Sequence, residues 1–214
     1  MNRREALSSV ALLLGGTIIG GEVFLAGCKA PDKKIAMAGL NFSPDDISFL
    51  DEVGETIIPA TTTPGAKEAK IGEFMRTIVN DCYEEKEQKI FLDGMQKLDD
   101  ACKTKNGKPF LDCDAQQRHD FLVALDQEAK DYQKKKGEFD KLQDDKAAAE
   151  KSKGNTAFQR EDMPAHYFTM VKQLTLWGYF TSEVGATKAL RYIAVPGRYE
   201  GCIPYKKGDK AWAT

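Results

Sequence analysis

Helical spacing of apolar residues is the feature that most constrains the fold of this chain. Phe91, Met95, Leu98 and Cys102 follow one another at intervals of three or four residues, which places all four on one face of an α-helix. No stretch before the C-terminal tail alternates apolar and polar residues over the length of a strand. The pattern therefore predicts an all-α, small, bundle-like domain.

Capping and stop signals predict the other helices. Ser43 followed by Pro44 and two acids is typical of a helix start, and Pro59 ends that helix. A second helix is expected over residues 67–83, a fourth from the capping pair that begins at Asp114, and a last long one from Met163-Pro164. The last helix carries an apolar stripe, which we expect to be buried: Tyr167, Phe168, Val171, Leu174 and Trp177.

Two segments fall outside this simple pattern. Residues 134–153 are almost wholly charged, which is typical of a solvated helical face or a mobile insertion. Residues 195–214 read as an extended, irregular tail that contains Tyr199, Tyr205 and Trp212. Such a tail either packs on its own domain or clasps a partner, since interface cores favour aromatic and arginine side chains.

Composition excludes several classes of function. The chain has 31 Lys and Arg against 33 Asp and Glu, and its basic residues are spread out, so no nucleic-acid-binding patch is expected. The two histidines, His119 and His166, have no nucleophile or metal ligand at a readable spacing, so a structural role is expected for each. No catalytic, cofactor-binding or metal-ligating set is predicted in this chain.

The first 27 residues have the order of an export signal. Arg3 and Arg4 form a positive head, an apolar stretch rich in small residues follows, and Leu-Ala-Gly-Cys closes the segment at Cys28. This ending resembles the bacterial lipobox, in which the cysteine is lipidated and becomes the mature N-terminus. The alternative is an uncleaved membrane anchor. Residues 28–42 then read as a polar tether ahead of the helical domain at 43–214.

The adjacent arginines also raise the question of the export route. Twin-arginine signals export proteins that are already folded, and this segment keeps the arginine pair and the following leucine of that pattern. Basic pairs are also common in ordinary signals. From these residues alone, twin-arginine export and general secretion both stay open.

With Cys28 assigned to lipid, four cysteines remain, which is an even number for an oxidising compartment. Cys102 and Cys113 flank a turn, and closing that loop would stabilise the fold by about 2 to 3 kcal/mol in the chain-entropy model. Cys82 and Cys202 would then pair and staple the tail to the second helix. Three connectivities are open in principle, and this one is our expectation.

Three segments together resemble the gluconate 2-dehydrogenase subunit 3 family. They are residues 55–66 (Glu-Thr-Ile-Ile-Pro-Ala-Thr-Thr-Thr-Pro-Gly-Ala), 174–186 (Leu-Thr-Leu-Trp-Gly-Tyr-Phe-Thr-Ser-Glu-Val-Gly-Ala) and 195–202 (Val-Pro-Gly-Arg-Tyr-Glu-Gly-Cys). One departure is Thr62, which stands where the family pattern leads us to expect an aspartate. The charged stretch at 134–153 is a second departure.

The resemblance implies a small, non-catalytic subunit of a periplasmic, membrane-associated sugar or sugar-acid dehydrogenase. In such complexes a large flavoprotein of the glucose–methanol–choline type binds FAD and oxidises the substrate, and a cytochrome or another acceptor takes the electrons. The small subunit resembles an escort that supplies the twin-arginine signal for a flavoprotein that lacks one, so the resemblance favours twin-arginine export. The FAD is therefore expected in the partner and no cofactor in this chain.

The expected contact with the flavoprotein is the segment from Thr181 to Tyr205. Its proposed anchors are Tyr179, Arg191, Arg198 and Tyr199, because aromatic and arginine side chains crowd a stretch without helical or strand periodicity. Two alternatives stay open, an enzyme active without a flavoprotein and a stand-alone surface lipoprotein that binds a glycan or a protein.

Overall fold

The computed structural model describes residues 42–155, 157–195, 197–198 and 201–213. These residues contain helices and turns but no strand, so the all-α prediction is confirmed. In chain order the elements are α1 (Pro44–Ile57), α2 (Ile71–Cys82), α3 (Glu85–Asn106), a 3-10 turn (Phe110–Asp112), α4 (Ala115–Ser152), α5 (Tyr167–Thr181) and a π-helical turn (Gly185–Ala189).

The predicted caps start two of these helices. The Ser43 hydroxyl accepts from the amide of Asp46 at 3.1 Å, and the Asp46 carboxylate accepts from the amide of Ser43 at 2.8 Å. Asp114 and Gln117 make the equivalent pair at the start of α4. Each pair satisfies amides that have no partner within the helix, so both starts are fixed by sequence.

The second helix starts later than expected, at Ile71 and not at residue 67. Residues 67–70 form a turn in which the Lys70 amide donates to the Lys67 carbonyl at 3.0 Å. Lys70 then has a φ of 54°, in the left-handed region that interrupts a helix. The apolar pattern alone does not reveal this break.

Helix α5 is the centre of the bundle, since it packs against α1, α2, α3 and α4. Phe168, Val171 and Leu174 of the expected stripe are buried. Trp177 is not, with 52% of its surface exposed, and Tyr179 is buried in its place. The predicted burial of Trp177 is therefore wrong.

Two glycines allow helices to approach α5 closely. A Cβ on Gly94 of α3 would lie 2.6 Å from Cγ of Tyr167, and one on Gly178 would lie 2.5 Å from the ring of Phe74. Neither position has room for a side chain. The close approach therefore depends on glycine at both helix crossings.

The charged stretch at 134–153 continues α4 as far as Ser152, which confirms its helical interpretation. The segment that leads into α5 packs along it. Gln143 is buried and hydrogen-bonds the side chain and the amide of Glu161 at 3.4 Å, and Arg160 pairs with Asp144 at 3.0 Å. The extension is therefore held on one side by the returning chain.

A partly buried ionic cluster ties α1 to its neighbours. The Glu52 carboxylate accepts from Lys67 and, at 2.6 Å, from Arg118 of α4. Arg118 also donates to the carbonyls of Phe110 and Leu111 at 3.1 and 2.6 Å. Burial disfavours the Glu52 carboxylate, but the hydrogen bonds and charges of Lys67 and Arg118 outweigh it, and the pKa of Glu52 is lowered.

No pair of cysteines in the described residues lies at disulfide distance. Cys82 and Cys202 are exposed free thiols, so the expected staple between the tail and the second helix is not supported. Cys102 and Cys113 are buried, with their Sγ atoms 3.5 Å apart, but they too are free. The tail is held by other contacts, which are described below.

The Gly94 contact can be tested against a matched glycine. Gly94→Ala is expected to lower the free energy of unfolding by roughly 1–3 kcal/mol, because its methyl group would overlap Tyr167. Gly137 lies in α4 with no atom near its Cβ position, so Gly137→Ala should raise stability by about 0.5–1 kcal/mol through helix propensity. Urea denaturation of both variants checks the two signs. If both substitutions changed the free energy of unfolding by the same amount, the close approach of α3 to α5 would be contradicted.

The Glu52 cluster predicts an acid-sensitive contribution to stability. Because the folded pKa of Glu52 is lowered, this contribution is complete above its unfolded pKa of 4.5 and is lost as the pH falls through the folded value. Glu52→Gln should lower the free energy of unfolding by about 1–2 kcal/mol at neutral pH. This loss should become smaller below about pH 4, where the wild-type carboxylate is also protonated. The exposed Glu68 provides the control, since Glu68→Gln should change stability little at either pH. A deficit independent of pH would show that charge is not the cause.

Candidate partner-binding surface

The loop after α1 is folded around one carboxylate. Glu55 accepts from the amide of Ala60 at 2.8 Å and from the amide of Lys67 at 2.9 Å. A Cβ on Gly65 would lie 2.5 Å from Cδ of Glu55, so only glycine fits there. The motif at 55–66 therefore encodes a rigid turn, and Thr62 is exposed on it.

This loop is joined to the end of α5. The hydroxyl of Tyr179 donates to the carbonyl of Pro64 at 2.6 Å. The Ser182 hydroxyl donates to the Tyr179 carbonyl at 2.7 Å and accepts from the Gly185 amide at 3.0 Å. A Cβ on Gly185 would lie 2.7 Å from the carbonyl carbon of Tyr179. Two of the three motif segments are thus one packed unit that fixes how the chain leaves α5.

The C-terminal half of α5 turns a second apolar face outward. Leu176, Trp177 and Phe180 are exposed although they lie on the central helix of the bundle. Trp177 packs edge to face on Phe74 of α2, with the ring centroids 5.4 Å apart. An aromatic pair at this position is held in place by the fold and is accessible to another molecule.

Exposed apolar side chains continue beyond α5. Of the twelve large apolar side chains that are exposed in the described residues, nine lie between residues 176 and 212. Besides the three on α5, they are Tyr192, Ile193, Val195, Ile203, Tyr205 and Trp212. We call these nine the C-terminal apolar surface. Scattered exposed apolar residues need no explanation, but their concentration in one segment makes this surface the candidate for binding a partner.

Arg191 holds the end of the tail against this region. Its guanidinium lies 4.7 Å from the ring centroid of Trp212, and its Nε donates to the carbonyl of Lys210 at 2.6 Å. Its backbone amide donates to the carbonyl of Ala211, and its carbonyl accepts from the amide of Ala213, both at 2.8 Å. The tail therefore returns to the chain just after the π-helical turn, without any disulfide.

The four sequence-predicted anchors have different surroundings. Tyr179 is only 2% exposed and bonded to Pro64, which places it in the core and not on a contact surface. Arg191 is used within the chain, Arg198 is exposed, and Tyr199 lies outside the described residues. The structure thus brings Arg191 to the C-terminal apolar surface and assigns Tyr179 a folding role.

Sequence reasoning missed Leu176 and Phe180 and assigned Trp177 to the core. The signal was present, because residues 174–180 are apolar almost without interruption, which is more than one buried stripe needs. A central helix that is apolar all round either is covered on every side or exposes part of its surface to a partner.

The histidines have structural surroundings. His166 is buried and caps α5 by accepting the amide of Phe168 at 3.3 Å, and burial lowers its pKa. Its ring stacks on Tyr167 with centroids 4.7 Å apart. His119 is exposed on α4 beside Asp120. Within the described residues no group of three His, Cys, Asp or Glu side chains could hold a metal ion.

A groove with a volume of about 570 Å³ lies between α1, α4 and α5. Ile57, Leu122 and Phe168 provide its apolar lining. Its charged groups are already paired, since Asp126 bonds Lys172 at 2.6 Å and Lys130 at 2.8 Å. One carboxylate therefore serves both lysines of the lining, which leaves the groove with a net charge of +1.

The candidate export and lipidation residues, Arg3, Arg4 and Cys28, lie outside the described residues. None of the helices in the described part of the chain is long and apolar enough to span a membrane.

Comparison with known proteins gives one match. The family model described as "Gluconate 2-dehydrogenase subunit 3" matches residues 44–197, which run from the start of α1 into the C-terminal apolar surface. Searches of curated proteins and of solved structures found no match. Since the match covers well over half of the chain, this protein belongs to the gluconate 2-dehydrogenase subunit 3 family.

Proposed function

We propose that this protein is the small, non-catalytic subunit of an FAD-dependent dehydrogenase that oxidises a sugar or sugar acid at the periplasmic side of a bacterial membrane. The large subunit would be a flavoprotein of the glucose–methanol–choline type, which binds the FAD. A cytochrome or another acceptor would take the electrons. Family membership supports association with a dehydrogenase complex, and the C-terminal apolar surface is the observation that supports a binding role for this chain.

The physical case for binding rests on the cost of leaving this surface in water. Trp177, Phe180 and Tyr205 each expose a large ring, and burying apolar area stabilises by about 25 cal/mol per Å². Trp177 is already packed on Phe74, so ordering it at an interface costs little entropy. Rigid aromatic groups of this kind are the usual centres of protein interfaces.

The polar residues of the region would complete the contact. Arg198 and Tyr199 remain proposed contacts, and Arg191 would act by holding Trp212 and the tail in a shape ready for binding. The Glu55 loop and Tyr179 would fix the base of the surface through the bond to Pro64. Tyr179 itself is not proposed as a contact.

Replacing the outward rings of α5 tests this interface. Trp177→Ala with Phe180→Ala should weaken co-purification with the flavoprotein by tenfold or more, because truncating a central interface residue typically costs about 2 kcal/mol. The control is Val123→Ala with Leu142→Ala, since these two side chains are exposed to a similar extent outside the C-terminal apolar surface. Binding is measured with both proteins expressed together, and circular dichroism monitors the helices.

A third variant covers the case in which the double variant fails to fold. Tyr205 is 74% exposed in the tail, so Tyr205→Ala should leave stability unchanged and still reduce binding. If the variants with changes in the C-terminal apolar surface bind as tightly as the control, the interface lies elsewhere.

Export and anchoring form the second part of the proposal. Cys28 would carry the lipid that holds the complex at the membrane, and Arg3 with Arg4 would direct twin-arginine export. A flavoprotein that already holds FAD is folded and cannot thread through a channel for unfolded chains. One signal on the small subunit would therefore serve both proteins, with this subunit as the escort.

Two variants of the signal separate export from anchoring. Arg3→Lys with Arg4→Lys should leave both subunits in the cytoplasm, because the lysine pair does not support twin-arginine export. Cys28→Ser is the matched variant, and it should move the complex from the membrane fraction to the soluble or unprocessed pool. Fractionation followed by immunoblotting measures both. Normal export of the lysine variant to the periplasm would contradict the twin-arginine escort role. Export of the wild-type small subunit without its flavoprotein would favour the stand-alone lipoprotein.

A further inference from the structure

Two buried thiols face each other at the end of α3. Cys102 lies in its last turns and Cys113 directly follows the 3-10 turn. Their Sγ atoms are 3.5 Å apart, and both residues are almost fully buried. The side-chain amide of Asn106 contacts both sulfurs, at 3.4 and 3.6 Å. The two thiols therefore share one small site.

The chain between them is held from both sides. Gly107 ends α3 with a φ of 74°, and the Phe110 amide donates to the Asp99 carboxylate at 2.8 Å. The carbonyls of Phe110 and Leu111 accept from Arg118, and the Phe110 ring is fully buried. These contacts fix the separation of the sulfurs without any bond between them. A disulfide at about 2.05 Å needs an approach of only about 1.5 Å.

We propose that Cys102 and Cys113 are a modification site that forms a disulfide once the folded protein meets a disulfide oxidant. The oxidant is a dithiol–disulfide exchange protein or an oxidised low-molecular-weight thiol. This inference does not depend on the proposed function, since it concerns only the geometry of two thiols. It assigns no bond to Cys82 or Cys202, which are both exposed.

The chemistry is two successive thiol–disulfide exchanges. The Cys113 thiolate attacks one sulfur of the oxidant, which forms a mixed disulfide and releases one oxidant thiol. The Cys102 thiolate then attacks Sγ of Cys113 and displaces the second thiol. Two electrons and two protons pass from the cysteine pair to the oxidant, whose disulfide becomes two thiols.

The order of the two attacks follows from position. Cys113 lies in a short connection whose neighbours Leu111 and Asp112 are exposed, so a local opening of this connection reaches it first. Cys102 lies within a helix, and burial raises the pKa of its thiol. Cys102 is therefore the resolving thiol, which needs only the adjacent Cys113 sulfur as its target.

Peptide mapping tests the site on the purified full chain. The protein is treated with oxidised glutathione, denatured without reductant, alkylated and digested. The expected product is a peptide pair linked through Cys102 and Cys113, while Cys82 and Cys202 carry the alkyl group or glutathione. Full alkylation of Cys102 and Cys113, or a link from either to Cys82 or Cys202, would overturn the proposal.

Two variants and one physical measurement sharpen the result. Cys82→Ser with Cys202→Ser should keep the linked peptide, and Cys113→Ser should abolish it. Oxidation should raise the Tm of the wild type by roughly 5 °C or more, because the bond closes a short loop, while the helical circular-dichroism signal stays the same. An unchanged Tm in protein that carries the link would contradict the stabilising role. If Cys113→Ser fails to fold, peptide mapping of the wild-type protein still tests the link between Cys102 and Cys113.

Discussion

The packing of α5 against α1, α2, α3 and α4 is the constraint on which the rest of the structure depends. Phe168, Val171 and Leu174 fill the core from this helix, and Gly94 and Gly178 let α3 and α2 come close to it. The bond from Tyr179 to the Pro64 carbonyl then fixes the rotation of its C-terminal half. That rotation decides which of its apolar residues are buried and which face outward.

The same rotation connects the fold to the proposed function. With Tyr179 turned inward, Trp177 and Phe180 must point away from the core, and Ser182 with Gly185 directs the chain into the tail. The end of the tail returns to the chain through the contact of Arg191 with Trp212. The contacts of the family motifs at 55–66 and 174–186 therefore set the direction in which the chain leaves α5.

Much of the fold follows from the sequence, because its signals are local. The capping boxes at Ser43 and Asp114 and the face with Phe91 and Leu98 each specify a helix without reference to the rest of the chain. The start of α2 does not follow, because the left-handed conformation of Lys70 has no signature in the apolar pattern.

The candidate site was harder to predict, because its geometry depends on contacts between residues that are far apart in the sequence. Nearly every residue from 174 to 180 is apolar, so periodicity cannot distinguish Trp177 from Tyr179. The distinction comes from a hydrogen bond to a residue more than a hundred positions earlier in the chain. Arginine and tyrosine content led to the prediction that the segment after α5 contacts the partner, but it did not show that Arg191 is used to hold Trp212.

Binding of a flavoprotein through the C-terminal apolar surface is the core of the proposed function. Its most direct test is hydrogen–deuterium exchange of this subunit, free and within the complex isolated from native membranes. We expect a partner with a flavin absorbance spectrum and protection concentrated in residues 176–212, with the extension of α4 unchanged. A complex without flavin, or protection confined to the groove between α1, α4 and α5, would contradict it.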